Sequence, residues 1–354
     1  MTTIQCGMSV VLQSGRIAPL AVPDSLKTMG ATNVVVVTEL PFEVAEADVM
    51  GEAPIPGANG SVAEVLTVRG LLVAGKRLCA FSPSCVEYGA ADLQYLATKT
   101  DEEIAMMRRI PPHPNVAHPL GVLYRDIVRQ RRTIRVPALV FYELGEQDLR
   151  KELFAEKPIM TFRRARVIVD HVGRGMHHLH KHGIIHRDLA PKNIVTLPNG
   201  RAMVIDFGES RKEIMATMTV GAGTPQCMAP EVADGSGHYT TAADLWSFGV
   251  LLLSFLDAME YGGVLDRVNR LCDAPKACQR DLDAVLMGLG LPSPDEKELP
   301  FEILWFGMTI RKCLILSVTE RPSFEYLCCF FVVVFLNATE SESELERQFV
   351  NALS

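Results

Sequence analysis

The chain has nine cysteines, an odd number, and no repeated C-x-x-C spacing. Neither a zinc ligand set nor a disulfide framework is indicated, and the expected setting is a reducing cytosol or nucleus. Positive charge is not in excess. Lys and Arg total 35 against 42 Asp and Glu, a formal net charge of −7, which speaks against a protein that coats nucleic acid. Long apolar runs are missing too. The most hydrophobic stretch, Leu327 to Leu336, falls well short of the roughly 20 residues a spanning helix needs. A buried core element is expected there, and no membrane partner. The N-terminus has no basic region followed by an apolar one, so no signal peptide is expected. Asn337-Ala338-Thr339 fits the glycosylation pattern, but without a secretory signal it is read as chance. No internal repeat is found.

The chain does have enough apolar material for a sizeable core. It is 354 residues long, 48% hydrophobic and 22% charged, which suits two lobes plus an extension. Residues 1–46 carry no readable chemistry, although Val34–Val37 has the look of a strand. Gly and Pro cluster at 51–60 and predict a loop or hairpin. Val62–Val68 and Leu71–Phe81 predict two strands split by a turn at Arg69-Gly70. Asp101 to Ile110 predicts a helix, acidic in its first turn and basic in its last, stopped by Pro111-Pro112. Val122–Ile127 and Val136–Leu144 predict another strand pair. Arg129 to Arg135, with four arginines between them, reads as a solvated hairpin.

From Thr161 the pattern turns helical. Ile168, Val172, Met176 and Leu179 share a face, and Gly183 suits the position just past the helix end. Beyond Thr240 mostly helix is expected. A β-rich first part with an α-rich second part predicts an α+β, two-lobed fold.

The strongest chemical signal is His186-Arg187-Asp188-Leu189-Ala190-Pro191-Lys192-Asn193. Asp206-Phe207-Gly208, Ala229-Pro230-Glu231 and Asp244-Leu245-Trp246-Ser247-Phe248-Gly249 come after it in that order. These residues are those of the protein-kinase superfamily, which the chain resembles from about Asp48 to about Phe335. The set is most similar to Ser/Thr kinases of the tyrosine-kinase-like group. The resemblance implies a small β-rich N-lobe at 47–143 and a larger helical C-lobe at 144–338. Residues 1–46 are then an extension and 339–354 an acidic tail, read as a solvated helix or a docking peptide.

The resemblance also implies roles for individual residues. Phosphoryl transfer needs positioning and charge neutralisation more than covalent help. Asp188 would accept the proton of the attacking hydroxyl, and Asn193 and Asp206 would hold Mg²⁺. Lys192 would reach the γ-phosphate from four residues beyond Asp188, in place of the lysine that many Ser/Thr kinases carry at position 190; the alternative is a solvated lysine. Lys76, in Val73-Ala74-Gly75-Lys76, would bind the α- and β-phosphates of ATP, with Glu103 as its counter-ion.

Gly57 and Gly60 resemble the end of a glycine-rich loop whose first glycine is Ile55 here. Val62 and Ala74 would cover the adenine from above and Val195 from below. Phe141 or Tyr142 would back the pocket, and Tyr142, Glu143 and Leu144 would form the hinge. Gly70 to Lys76 also fits the start of a phosphate-binding P-loop, but Arg77 stands where Ser or Thr is required, so that reading is rejected.

Thr224, in Gly223-Thr224-Pro225, favours Ser/Thr substrates. Cys227 sits where an aromatic residue is usual. Arg187 suggests a receptor for an activating phosphate, with Thr217 and Thr219 as candidate acceptors or simply loop residues. His186, Phe207, Glu231 paired with Arg321, and Asp244 are expected to brace the scaffold.

The implied partners are protein substrates, ATP, Mg²⁺ and an upstream activator, with the chain a monomer or a transient dimer. Three alternatives remain open: a tyrosine or dual-specificity kinase, a catalytically dead scaffold, and, more weakly, a small-molecule phosphotransferase.

Overall fold

The computed structural model describes residues 8–11, 17–20, 42–54, 62–77, 89–155, 160–212, 227–233, 239–259 and 301–336. The chain divides into two compact units. One is Met1–Glu146 with Thr196–Gly200, and the other is Gln147–Val195 with Arg201–Ser354.

In the first unit, β1 (Met8–Val11) pairs with β2 (Ile17–Leu20). The main sheet is antiparallel and five-stranded. Its strands are β3 (Val49–Pro54), β4 (Val62–Val68), β5 (Leu71–Arg77), β6 (Gly121–Arg129) and β7 (Arg132–Glu143), in the order β3-β4-β5-β7-β6. The turns at 69–70 and 130–131 each need positive φ at two successive residues: Arg69 and Gly70 (49° and 84°) and Gln130 and Arg131 (51° and 63°). Such turns match the right-handed twist of the strands they join.

Several expectations can be set against these elements. At 51–60, predicted as a loop or hairpin, β3 runs to Pro54 and pairs antiparallel with β4, and residues 55–60 lie outside the described residues. The strand predicted over Leu71–Phe81 is found at Leu71–Arg77, and residues 78–81 lie outside the described residues. The arginine-rich segment Arg129–Arg135 forms the expected solvated hairpin, with a two-residue turn at Gln130-Arg131 and every residue but Ile134 exposed. Helix α1 runs from Ala90 to Arg108, starting eleven residues before the predicted Asp101. The acidic cluster at 101–103 therefore sits mid-helix, and Asp92 occupies the first turn.

The two faces of the sheet bury different clusters. Leu66, Val68, Val73, Leu123, Leu139 and Phe141 pack on one, joined by Val44. Val122 and Val140 pack against Ile104 of α1 on the other. Gly75 faces the first cluster, where an added Cβ would lie 2.4 Å from Leu66 Cδ1, so a side chain at that position would require the end of the Leu66 side chain to move.

The second unit opens with β8 (Gln147–Asp148) and α2 (Leu149–Leu153) and continues into α3 (Phe162–Lys181). Thr161 caps α3 by accepting a hydrogen bond from the Arg164 N–H at 3.2 Å. Gly183, at φ 68°, ends it. Ile168, Val172, Met176 and Leu179 are fully buried. The short strands are β9 (Ile184–Ile185), β10 (Ile194–Thr196), β11 (Ala202–Val204) and β12 (Arg211–Lys212). β11, β10 and β8 form one sheet, and β12 pairs with β9.

Helices α4 (Pro230–Ala233), α5 (Thr241–Ala258), α6 (Phe301–Cys313) and α7 (Phe324–Leu336) follow among the described residues. α5 packs on α6, and α7 packs on α3. α5 is long and apolar enough to cross a membrane, yet 83% of it is buried inside the fold; it is the core helix. The expected α+β architecture, sheet first and helices second, is the one found.

Candidate active site

Antiparallel partners share a face, so register alone decides where Lys76 points. Lys76 pairs with Val140, and Val140 with Val122, which places Lys76 on the face that α1 covers. Its Nζ lies 3.1 Å and 3.3 Å from the two carboxylate oxygens of Glu103. The pair is mostly shielded, with side chains 26% and 10% exposed. The neighbouring Glu102 is exposed and is not the partner.

Ala74 pairs with Tyr142 on that same face, while Phe141 faces the opposite cluster. Glu143 ends β7, with Leu144 directly after it. One further residue, which no motif pointed to, holds α1. The Tyr124 hydroxyl donates to Asp101 at 2.8 Å. Burial, then this bond, pushes the phenol up to about 12.

In the second unit, the loop between β9 and β10 is held from below by one carboxylate. Asp244 is 1% exposed. Its Oδ2 accepts from the His186 N–H at 2.8 Å and from His180 Nε2 at 2.8 Å, and its Oδ1 accepts from the Arg187 N–H at 2.9 Å. Burial alone would raise the Asp244 carboxyl, but the His180 bond, nearby imidazoles and the backbone donor outweigh it and hold it below the ordinary 3.8. These bonds fix the backbone where Arg187 takes φ 71°, a left-handed conformation that a bulky side chain adopts only when its surroundings enforce it. The Arg187 guanidinium stacks on the ring of Tyr239 at 4.2 Å. His180 and Tyr239 carry no sequence signal, since nothing in their spacing sets them apart from neighbouring residues.

His186 ties the loop to the segment after β11. Its Nδ1 accepts from the Asp188 N–H at 3.3 Å, and its Nε2 donates to the Ile205 carbonyl at 3.1 Å. The imidazole edge rests on Phe207, 1% exposed, with ring centroids 5.4 Å apart. The Ile205 N–H donates to the Asn193 carbonyl at 2.9 Å. Asp206 comes next, with φ 63° and an exposed side chain. Asn193 commits its Nδ2 to the Asp188 backbone carbonyl and to Asp188 Oδ2, both at 2.8 Å. Lys192 Nζ sits 2.9 Å from the same Oδ2. One oxygen of Asp188 is therefore clamped by an amide and an ammonium.

The donor set suits Mg²⁺. With its NH₂ turned to Asp188, Asn193 offers a carbonyl oxygen, and Asp206 adds a carboxylate; both are the hard oxygen ligands this ion takes. No thiol or imidazole is among them.

Cys227, Met228, Leu189, Tyr239 and Ser247 line a shallow cleft beside Asp188. Burial, reinforced by the Asp188 charge, pushes the Cys227 thiol up to about 12. The Ser247 hydroxyl donates to the Cys227 carbonyl at 2.7 Å. Farther along, the Arg321 guanidinium meets Glu231 at 2.6 Å and 2.8 Å. It also donates to the carbonyls of Ile315 and Ala242 at 2.6 Å and 3.0 Å. Val62 opens β4, and Val195 lies half-buried in β10. Ile55, Gly57, Gly60, Thr217, Thr219 and Thr224 lie outside the described residues, as do Val34–Val37, the sequon at 337–339 and the acidic tail.

A family model described as the protein kinase domain matches residues 56–329. A probable LIM domain-containing serine/threonine-protein kinase of Dictyostelium discoideum is 29% identical over 68% of this chain and 23% of its own length. A cell division control protein 2 homolog of Trypanosoma brucei brucei is 28% identical over 56% of this chain and 61% of its own. A serine/threonine-protein kinase of Arabidopsis thaliana is 31% identical over 45% of this chain and 33% of its own. The matches cover less than two thirds of each of these relatives.

Proposed function

This chain belongs to the protein kinase family, and from that premise we propose that it transfers the γ-phosphate of Mg-ATP to serine and threonine hydroxyls of protein substrates. The observation that carries the proposal is the clamp on Asp188. Asn193 and Lys192 fix one carboxylate oxygen, which orients the group as a base for an incoming alcohol. Lys192 also brings a positive charge to where the transferred phosphoryl needs neutralising.

In this reading Lys76, held by Glu103, binds the α- and β-phosphates. Ala74, Val62 and Val195 enclose the adenine, backed by Tyr142, with Glu143 and Leu144 as the hinge. Gly57 and Gly60 close over the phosphates. Asn193 and Asp206 hold Mg²⁺, which when bound supplies charge neutralisation on the phosphate oxygens.

Serine and threonine are favoured because Thr224 follows Gly223 in the activation segment and because two of the similar proteins are named serine/threonine kinases. A specific observation supports a second reading, a tyrosine or dual-specificity kinase. Position 190 is alanine, and Lys192 instead reaches Asp188, an arrangement similar to that of tyrosine kinases.

Incubation with Mg-[γ-³²P]ATP and casein, with phosphoamino-acid analysis of the product, tests both. Label on serine or threonine supports the first reading, and label on tyrosine supports the second. No transfer at all leaves a scaffold of kinase fold.

A further inference from the structure

The row of the sheet that carries Lys76 does not stop at β6. Lys76, Val140 and Val122 lie side by side across β5, β7 and β6. Glu43 continues that row by a parallel bridge to Val122. The Val44 N–H donates to the Val122 carbonyl at 2.8 Å, and the Val122 N–H donates to the Phe42 carbonyl at 2.7 Å. A segment with no readable role in the sequence therefore satisfies the open edge of β6 at one residue, in line with Lys76.

The side chains of this segment reach both faces of the sheet. Val44, 2% exposed, enters the cluster of Leu66 and Phe141. Phe42 packs on the other face with Val122, Val140 and Ile104, and Ile104 is the residue directly after Glu103. The Arg108 guanidinium, one turn farther along α1, lies 3.7 Å from the Phe42 ring centroid. Phe42 thus contacts α1 on both sides of the turn just past Glu103. Glu43 pairs with Arg135, whose guanidinium stacks on Tyr124 at 4.7 Å, and Tyr124 in turn bonds Asp101. Two chains of contacts lead from residues 42–43 to α1, and they arrive on either side of Glu103.

We propose that Phe42–Val44 is a strap that positions α1, so that Phe42 is a positioning residue for the Lys76–Glu103 pair and release of the strap separates that pair. The proposal rests on the kinase reading for its effect on phosphate transfer, but not for its effect on α1. The strap is held by the bridge to Val122, the Phe42 ring, the buried Val44 and the Glu43–Arg135 pair, while β3 to β7 pair with one another without it, so it can detach with the five-stranded ladder intact. A state in which the strap is detached and Glu103 has swung away binds nucleotide without the full phosphate clamp, and turnover falls with the population of the strapped state.

The test uses the full chain and three forms: wild type, Phe42→Ala and Phe42→Tyr. Two quantities are read: kcat and KM for ATP with casein as acceptor, and hydrogen–deuterium exchange of peptides covering 101–108 and 165–179. The strap predicts that Phe42→Ala lowers kcat about tenfold, with a smaller change in KM. It also predicts that 101–108 exchanges faster while 165–179 does not, and that Phe42→Tyr, which keeps the ring over Arg108, restores both. Wild-type kcat and wild-type protection at 101–108 in Phe42→Ala overturn the strap. Equal loosening of 165–179 also overturns it, because Phe42 is then a general stability residue. If wild type itself transfers nothing, the kinase reading fails, and the strap is decided by the exchange data alone.

Discussion

Asp188→Asn keeps the shape of the side chain but removes the carboxylate proposed as the base. It is expected to lower phosphate transfer on the order of 10²–10⁴-fold while nucleotide binding, measured by fluorescence of a labelled ATP analogue, stays near wild type. Lys76→Met deletes the cation that Glu103 holds at 3.1 Å and is expected to silence transfer as well; turnover near wild type removes Lys76 from its assigned role. Asp244 carries a pH signature. Its folded-state value is below the ordinary 3.8, so its contribution to stability is complete above that value and is lost as pH falls through the lower, folded one. Asp244→Asn should therefore flatten the acid limb of a plot of stability against pH, measured by urea unfolding between neutral and strongly acidic pH. At the residue scale much of the geometry around Asp188 and Lys76 is legible in the sequence. The residues from His186 to Asn193 act through short loops, so their order in sequence nearly fixes their order in space. The positions of His180, Tyr239 and Phe42 are not legible, because each acts through a partner far away in the chain and belongs to no local pattern.

Among the elements, the hairpin of β6 and β7 shows why boundaries are hard to read. Its turn uses Gln130 and Arg131 at positive φ in place of the Asn-Gly or Asp-Gly that would announce it. The turn at Arg69-Gly70 is legible because its second residue is glycine. Arg131→Gly relieves the strained conformation and is expected to stabilise the fold by about 0.5–1 kcal/mol, read as a raised thermal midpoint. The first half of α1 is hidden for a different reason. Its buried face is Ala90, Leu93 and Ala97, and two alanines give a weak hydrophobic period. The acidic residues at 101–103 then resemble a helix start, whereas two of them instead hold Tyr124 and Lys76. α3 is legible because its strong apolar face, its Thr161 cap and its Gly183 end all agree.

For the molecule as a whole, the sequence pattern predicts sheet first and helices second, and the two compact units have that order. The helical unit depends on a buried ion pair. The Arg321 side chain is fully buried against Glu231 and two backbone carbonyls. Arg321→Met strands the Glu231 charge and is expected to cost about 3–5 kcal/mol, seen in chemical denaturation as a lower midpoint. Arg321→Lys should rescue little of this, since an ammonium cannot reproduce the planar fork.

The most direct test of the central claim compares wild type and Asp188→Asn side by side with Mg-[γ-³²P]ATP and casein. The predicted result is labelled serine or threonine from wild type and almost none from the variant at equal nucleotide binding. Equal labelling by the two proteins, or none from wild type, would contradict it.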